Sequence, residues 1–428
     1  MNPADTAWML AATALVLLMT PALGFFYGGL VRSKNSLNTM MMSFVALGAV
    51  GIAWALIGYT LAFAEGGPIL GSLKHVLLQG VGLEAKGTIP HVLFFCFQGT
   101  FAIITAALIS GAIVERMRFS AYLVFLTLWS IVIYGPVAHW VWGGGFLASR
   151  GALDFAGGTV VHINAGVAAL VAAIVLGPRK DFTRQAMIPH NVPFTLLGAG
   201  LLWFGWFGFN AGSALAANPQ AGLAFSTTML APAATLMVWT LLDLMRNGKA
   251  TAVGGATAIV VGLVAITPAA GFVSPMSALV LGALAAFPSY YGLLFRVRTR
   301  LDDSLDVTAA HGVGGTVGAI LTGVFAQKAW NGSTDGLLFG NPGQVVIQIL
   351  AVLSTIVYSG LGTFVLLKVV GALMPLKASA SEEGLGMDIS QHGEEAYGSG
   401  EGAILILPDR ESSPKPALAT SPTSGGRS

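Results

Sequence analysis

Charge is what this sequence has least of. Only 9% of its 428 residues are Asp, Glu, Lys or Arg, where a soluble domain averages about 25%. With 55% of the chain hydrophobic, so little charge cannot clothe a globular surface, and a soluble fold is excluded. Cysteine is nearly missing too. Cys96 stands alone, which rules out an intrachain disulfide and a cysteine-cluster metal site. The net charge is only +2 and no basic patch stands out, so nucleic acid is not an expected partner. Met1 to Thr6 holds no basic residue before the first apolar run. That run therefore reads as a retained span rather than a cleaved signal peptide.

What is there is apolar sequence in long runs, with 56 glycines that suit close helix packing in lipid. The runs predict an all-α integral membrane protein with eleven transmembrane helices. Their approximate positions are 7–31, 38–64, 88–114, 119–139, 156–177, 191–210, 221–245, 251–270, 275–295, 305–327 and 343–374. Most hold the ~20 apolar residues needed to cross hydrocarbon. They lack the apolar–polar alternation of barrel strands. Residues 1–375 form the membrane domain. Residues 376–428 read as a cytosolic tail, with 382–397 ordered and 409–428 disordered. The short apolar run 403–407 between them has no evident physical role.

Lys and Arg set the orientation. With the N-terminus outside, seventeen of the 21 fall on the inner side, and Lys74, Lys86, Arg150 and Lys328 fall outside. The C-terminus is then cytosolic.

One stretch organises the rest. Asp154 to Gly166 places a carboxylate, a glycine pair and His162 at the start of a span. Thr159-Val160-Val161-His162 recurs 149 residues on as Thr308-Ala309-Ala310-His311, and an acid precedes each, Asp154 and Asp306. Spans one to five and six to ten thus read as an inverted five-plus-five repeat, with one helix added. A histidine inside a span is costly and normally faces a bundle interior or a pathway. Two in matching frames favour a shared pathway over two separately satisfied core histidines. A metal site is disfavoured, since His75, His91 and His139 lie near the outer surface and no His-Glu helix motif is present.

Asp154 either binds a cation directly or holds the backbone of the glycine turn that follows, with the structural role slightly favoured. Trp142, Phe101, Phe209 and Trp206 are aromatics towards the outer side. A ring face attracts a cation by up to ~2 kcal/mol once water is removed, and Ser213 offers an acceptor beside them. The bland alternative is the interfacial aromatic belt of any membrane protein, which is the reading taken for Trp140.

Several stretches resemble the ammonium transporter family (Amt/Mep/Rh), on its Amt branch. They include Phe26-Tyr27-Gly28-Gly29 through Asn35, Phe97-Gln98-Gly99-Thr100-Phe101, Ala138-His139-Trp140-Val141-Trp142 with its glycines, Asp154 to Asn164, Gly205 to Ser213, and His311-Gly312-Val313. Glu383 to Asp388 with His392 to Tyr397 is similar to the family's cytosolic C-terminal signature. The resemblance implies a homotrimer with a pore in each subunit. It implies an outer recruitment site at Trp142, Phe101 and Ser213, supported by Asp154. It implies a phenyl gate of Phe101 and Phe209, and a twin-histidine pore of His162 and His311. A PII-type signalling protein at the cytosolic face is a further implied partner, although this tail runs some thirty residues past Tyr397.

The implied substrate is ammonium or ammonia, with methylammonium as analogue. Carrying a bare cation through a dry pore faces an idealised penalty of order 20 kcal/mol. Deprotonating an alkylammonium-like group of pKa ~10.4 at pH 7 costs only about 5 kcal/mol. Capture as a cation and passage as ammonia is the expected mechanism. The alternatives are a passive Rhesus-type gas channel and an ammonium sensor. An enzyme is disfavoured, for want of a nucleophile or metal set.

Overall fold

The computed structural model describes residues 1–398, and they are almost wholly helical. In chain order the apolar helices are α1 (Pro3–Leu30), α2 (Ser33–Phe63), α3 (His91–Ile113), α4 (Phe119–Trp142), α5 (Gly158–Leu176), α6 (Val192–Gly212), α7 (Pro219–Asn247), α8 (Ala252–Ile266), α9 (Pro275–Val297), α10 (Thr308–Phe325) and α11 (Gly343–Leu373). Ten of these are long and apolar enough to cross a membrane, which makes this a multi-pass membrane protein. The exception, α8, has 15 residues, about 22 Å at 1.5 Å per residue. Pro268 cannot donate to the helical ladder, and the chain turns there instead of completing the expected 251–270 span.

Helix starts follow simple capping chemistry. Asn2, Asn191, Asn218, Thr251 and Ser274 each accept a backbone N–H from the first turn they precede. Pro3, Pro193, Pro219 and Pro275 follow four of them in that turn, where a missing N–H costs nothing.

The first helices of the two expected halves, α1 and α6, pack along one another more extensively than any other pair. The histidine-bearing helices α5 and α10 cross where Gly166 meets Gly312. A Cβ on Gly166 would collide with the Gly312 backbone. Only this absence of a side chain lets the two helices bring their histidines together.

At the tail end the loops close around a buried ion cluster. Arg179 reaches Glu115 at 2.5 Å and Asp302 at 2.7 Å, with both carboxylates fully buried. Arg32 adds a 3.1 Å contact to Glu115. Burial works to raise both carboxyl pKa values, but Arg179 outweighs it, with Arg32 beside Glu115 and Arg116 beside Asp302. Both end below the ordinary range. Removing one member of such a cluster costs about 3–5 kcal/mol, because it strands a buried charge.

Beyond α11 the tail forms two short helices, α12 (Ala380–Leu385) and α13 (Met387–His392). Glu382 pairs with Arg118 at 2.9 Å, and Lys34 donates to the Glu383 and Gly384 carbonyls at 2.9 and 2.6 Å. Asp388 accepts the Leu37 and Asn38 N–H groups at 3.0 and 2.7 Å, capping the start of α2. Not every basic residue at this end holds the tail. Arg296 is engaged by Asp306 at 2.7 Å, and the Arg116 guanidinium turns to Asp302 and Ser304. Lys34, Arg118 and Lys180 hold the tail instead. The expected disorder over 409–428 and the 403–407 run lie outside the described residues.

Candidate functional site

Each histidine sits on a short π-helical turn, Gly158–Ile163 for His162 and Thr308–Val313 for His311. Such turns leave carbonyls and N–H groups to be satisfied from outside the helix, and they concentrate at functional sites. Asp154 does this for the first. Its Oδ1 accepts from the Gly157 and Gly158 N–H groups at 2.9 and 2.5 Å. Its Oδ2 accepts from the Thr159 and Val160 N–H groups at 2.9 and 3.1 Å, and from the Thr159 hydroxyl.

The counterpart of Asp154 is Asp303, not Asp306. Asp303 accepts from the Val307 and Thr308 N–H groups at 3.1 and 2.7 Å, repeating the Asp154 pattern at the same offset as the histidines. Asp306 corresponds instead to Gly157. Both take left-handed backbone, with φ of 59° and 116°. The reason is positional. The hydrogen-bonding acid must stand five residues before the threonine, and a strict 149-residue shift of Asp154 lands on Asp303.

The aromatic residues form a column. The Trp142 indole N–H donates to the Asp154 carbonyl at 2.8 Å, which fixes its ring plane. Phe101 meets Trp142 edge-on, with centroids 5.9 Å apart, and stacks on Phe209 at 4.1 Å and 23°. Phe209 in turn lies 6.1 Å from the His162 ring, and His162 lies 5.3 Å from His311. The two histidines share an Nδ1–Nδ1 hydrogen bond of 3.2 Å. Both phenyl rings and both imidazoles are buried.

Ser213 joins this column indirectly. It lies one turn beyond Phe209 and its hydroxyl donates to the Phe209 carbonyl at 2.9 Å, with no hydrogen bond to Trp142. The Asp154 carboxylate is fully occupied by the π-turn and touches Trp142 only through its backbone. Trp206 was read only as one more outer aromatic. It stacks on His162 at 5.4 Å and 22°, with its own N–H given to Thr267. No sequence spacing signals that pairing, because it joins α6 to α5.

Below the phenyl rings runs a narrow cavity of ≈ 10 Å³, lined by Val161, His162, Leu202, Trp206, Phe209 and His311 among apolar neighbours. That is about the room one water needs. The buried Nε2 of His162, on this wall, has no protein partner. His311 also borders a wider chamber of ≈ 610 Å³ towards the tail end, lined by Asp243, Tyr290, Arg296 and Asp306 among others. The arrangement can pass a single small polar solute in file along a mostly apolar path. Among the described residues no three His, Cys, Asp or Glu side chains come together as a metal site.

Known proteins resemble this chain along nearly its whole length. Residues 7–397 match the model of the Ammonium Transporter Family. The chain is 49% identical to the ammonium transporter of Bacillus subtilis over 402 residues, covering 93% of this chain and 99% of that one. It is 52% identical to the ammonium transporter of Aquifex aeolicus over 402 residues, covering 93% and 94%. Among solved structures it is similar to Mep2 of Candida albicans, with a TM-score of 0.86, 35% identity, and 96% and 95% of the two chains covered. It is also similar to a protein described as a sensor Amt protein, with a TM-score of 0.85, 29% identity, and 91% and 98% covered.

Proposed function

The chain belongs to the ammonium transporter family, and from that premise we propose a split mechanism for its transport of ammonium. The cation is captured against Trp142 and gives up its proton to water on the Trp142 side of the Phe101–Phe209 gate. It crosses the His162–His311 pair as ammonia. One observation carries this reading: the unbroken column from Trp142 through the stacked phenyls to the histidines, above a cavity of ≈ 10 Å³. A fixed indole face supplies attraction for a monovalent cation. The stacked rings keep water out, so the cation would have to shed its hydration to go further. The histidine pair gives a neutral solute hydrogen-bonding partners where the rest of the wall is largely apolar.

The Lys and Arg bias supports placing the Trp142 end outside and the tail in the cytosol, so that transport is uptake. The family resemblance supports a homotrimer with one pore per subunit, and a PII-type protein as partner of the tail face. Native mass spectrometry of the purified protein should give three chains per particle.

The test is methylammonium uptake in proteoliposomes across external pH at fixed total substrate. A transporter that captures the cation saturates with the ammonium form and is competed by ammonium. A Rhesus-type gas channel would instead show a rate that climbs about tenfold per pH unit with the free amine. A sensor would bind without uptake.

A further inference from the structure

Thr267 stands just past the end of α8, the helix too short to span, where Pro268 turns the chain. It is fully buried, and the split mechanism gives it no task. Its hydrogen bonds are unambiguous. The hydroxyl donates to the Leu263 carbonyl at 2.8 Å. A carbonyl only accepts, so the one proton is committed there and the oxygen lone pairs are left to accept. The Trp206 indole N–H, which can only donate, reaches that oxygen at 2.9 Å. Buried Thr39, Thr105 and Thr322 also bond back to the carbonyl one turn before them. Thr267 does more, because it holds a side chain from another helix.

That side chain is the one lying on His162. The indole and imidazole planes are 22° apart, with centroids at 5.4 Å. His162 is thus supported on one face by Trp206 and at one edge by His311. Its Nε2 is left on the wall of the narrow cavity with no protein partner. An indole tethered at its N–H resists rocking, and so does the imidazole stacked on it. The same turn braces the His162 backbone. The Pro268 carbonyl accepts the Phe155 N–H at 3.1 Å, and a Cβ on Gly158, the first residue of the π-helical turn, would collide with the Pro268 ring. The end of α8 therefore supports His162 both through its backbone and through Trp206.

We infer that Thr267 is a positioning residue for His162: by holding the Trp206 indole it fixes the imidazole plane that the passing solute meets, and so sets the rate of passage rather than the affinity of capture. The inference rests on His162 lining the path. The bland alternative is that Thr267 only ties α6 to the end of α8. The fold contains a control for that alternative. Trp129 donates to Thr363 Oγ1 at 3.0 Å, joining α4 to α11, with both residues fully buried. The bond and its setting are the same. Among the described residues, however, Trp129 stacks on no histidine, and neither residue lines the narrow cavity or the wider chamber.

The experiment measures maximal rate and half-saturation of methylammonium uptake in proteoliposomes, scaled to folded protein. The proteins are wild type, Thr267→Val, Thr267→Ser, Thr363→Val, Trp206→Phe, the double variant of Thr267→Val with Trp206→Phe, and His162→Ala. Valine keeps the shape of threonine and removes the acceptor. Thr267→Val should lower the maximal rate roughly tenfold to a hundredfold, since a misplacement of ~1 Å can cost about a hundredfold, with half-saturation unchanged. Thr267→Ser keeps the acceptor and should run close to wild type. Thr363→Val should melt lower, as Thr267→Val does, but at the wild-type maximal rate. In the Trp206→Phe background Thr267→Val should change nothing further, because the N–H it held is gone. If Thr267→Val does not fold, Trp206→Phe carries the same expectation, since it keeps a ring on His162 and drops the tether. Equal losses of rate in Thr267→Val and Thr363→Val overturn the inference, as do additive effects in the cycle or a wild-type maximal rate in Thr267→Val and Trp206→Phe. A raised half-saturation at unchanged maximal rate overturns it too. Each of these leaves the split mechanism standing, provided His162→Ala still alters flux. Wild-type flux in His162→Ala removes the premise and overturns both readings.

Discussion

Asp154 separates two accounts of the site at Trp142, and its replacement tells them apart. A carboxylate that binds the cation would be missed by the substrate but not by the fold. The geometry assigns it the other role, since five donors converge on its two oxygens. Each buried donor left without a partner costs about 1–3 kcal/mol. Five such donors set an upper limit of roughly 5–15 kcal/mol, as large as the ~5–15 kcal/mol that holds a typical protein folded. Water reaching the turn lowers the actual figure, but not to nothing. Asp154→Ala should therefore fail to accumulate as folded protein. Asp154→Asn keeps one acceptor oxygen and turns an NH2 group towards the remaining donors, so it should fold with a clearly lowered melting temperature and lose most flux. Asp303→Ala removes only two such bonds and should cost less than half as much. Thermal unfolding in detergent, alongside methylammonium uptake, checks the series. If Asp154→Asn melts like wild type while its half-saturation rises tenfold or more, the carboxylate is a cation ligand and the structural account fails.

Three further outcomes follow from the same geometry. Trp142→Leu removes the ring face, and since cation–π attraction reaches ~2 kcal/mol when desolvated, half-saturation should rise up to about thirtyfold with little change in maximal rate; equal affinities would make Trp142 a belt residue. His162→Ala, His311→Ala and the double variant should resemble one another in flux, because the 3.2 Å bond makes the pair one unit, and a double-mutant cycle with no coupling energy would contradict that. For the tail, burial pushes the Asp388 carboxyl up to about 6 against the opposing Asn38 and Leu37 N–H groups. A raised value means that the docked tail takes up a proton, so docking is strongest below the ordinary carboxylate range and weakens as pH rises through about 6. Glu382, held down by Ser379 and Arg118, acts oppositely below its ordinary value of ~4.3, and His392, held down by burial, acts oppositely as pH falls below its ordinary value of ~6.5, so the Asp388 contribution is read as the difference between wild type and Asp388→Asn. Relative to Asp388→Asn, wild-type protein should gain resistance to limited proteolysis after α11 as pH falls from 7 to 5, and a ratio that does not change with pH would contradict this.

Much of this was legible before any coordinates. Ten of the eleven apolar runs became helices of spanning length, because hydropathy over twenty residues reports burial in lipid directly. The histidine pair was legible because a repeated frame at one offset places two side chains at equivalent depth. What escaped were partnerships across distant sequence. Asp306 looked like the second acid because it stands nearer to Thr308 than Asp303 does, and proximity is not register. Trp206 stacking on His162 joins two helices whose spacing carries no mark of it. The short α8 was hidden because Pro268 lies within an otherwise apolar run.

The central claim is that the ion does not cross the histidine pair intact. Concentration jumps of ammonium and of potassium, applied to proteoliposomes on a solid-supported membrane with an internal pH reporter, test it most directly. The account predicts an ammonium response, in current or in internal pH, and none for potassium in wild-type protein. Potassium currents comparable to those of ammonium would mean that a whole cation passes His162 and His311, and the split mechanism would be wrong.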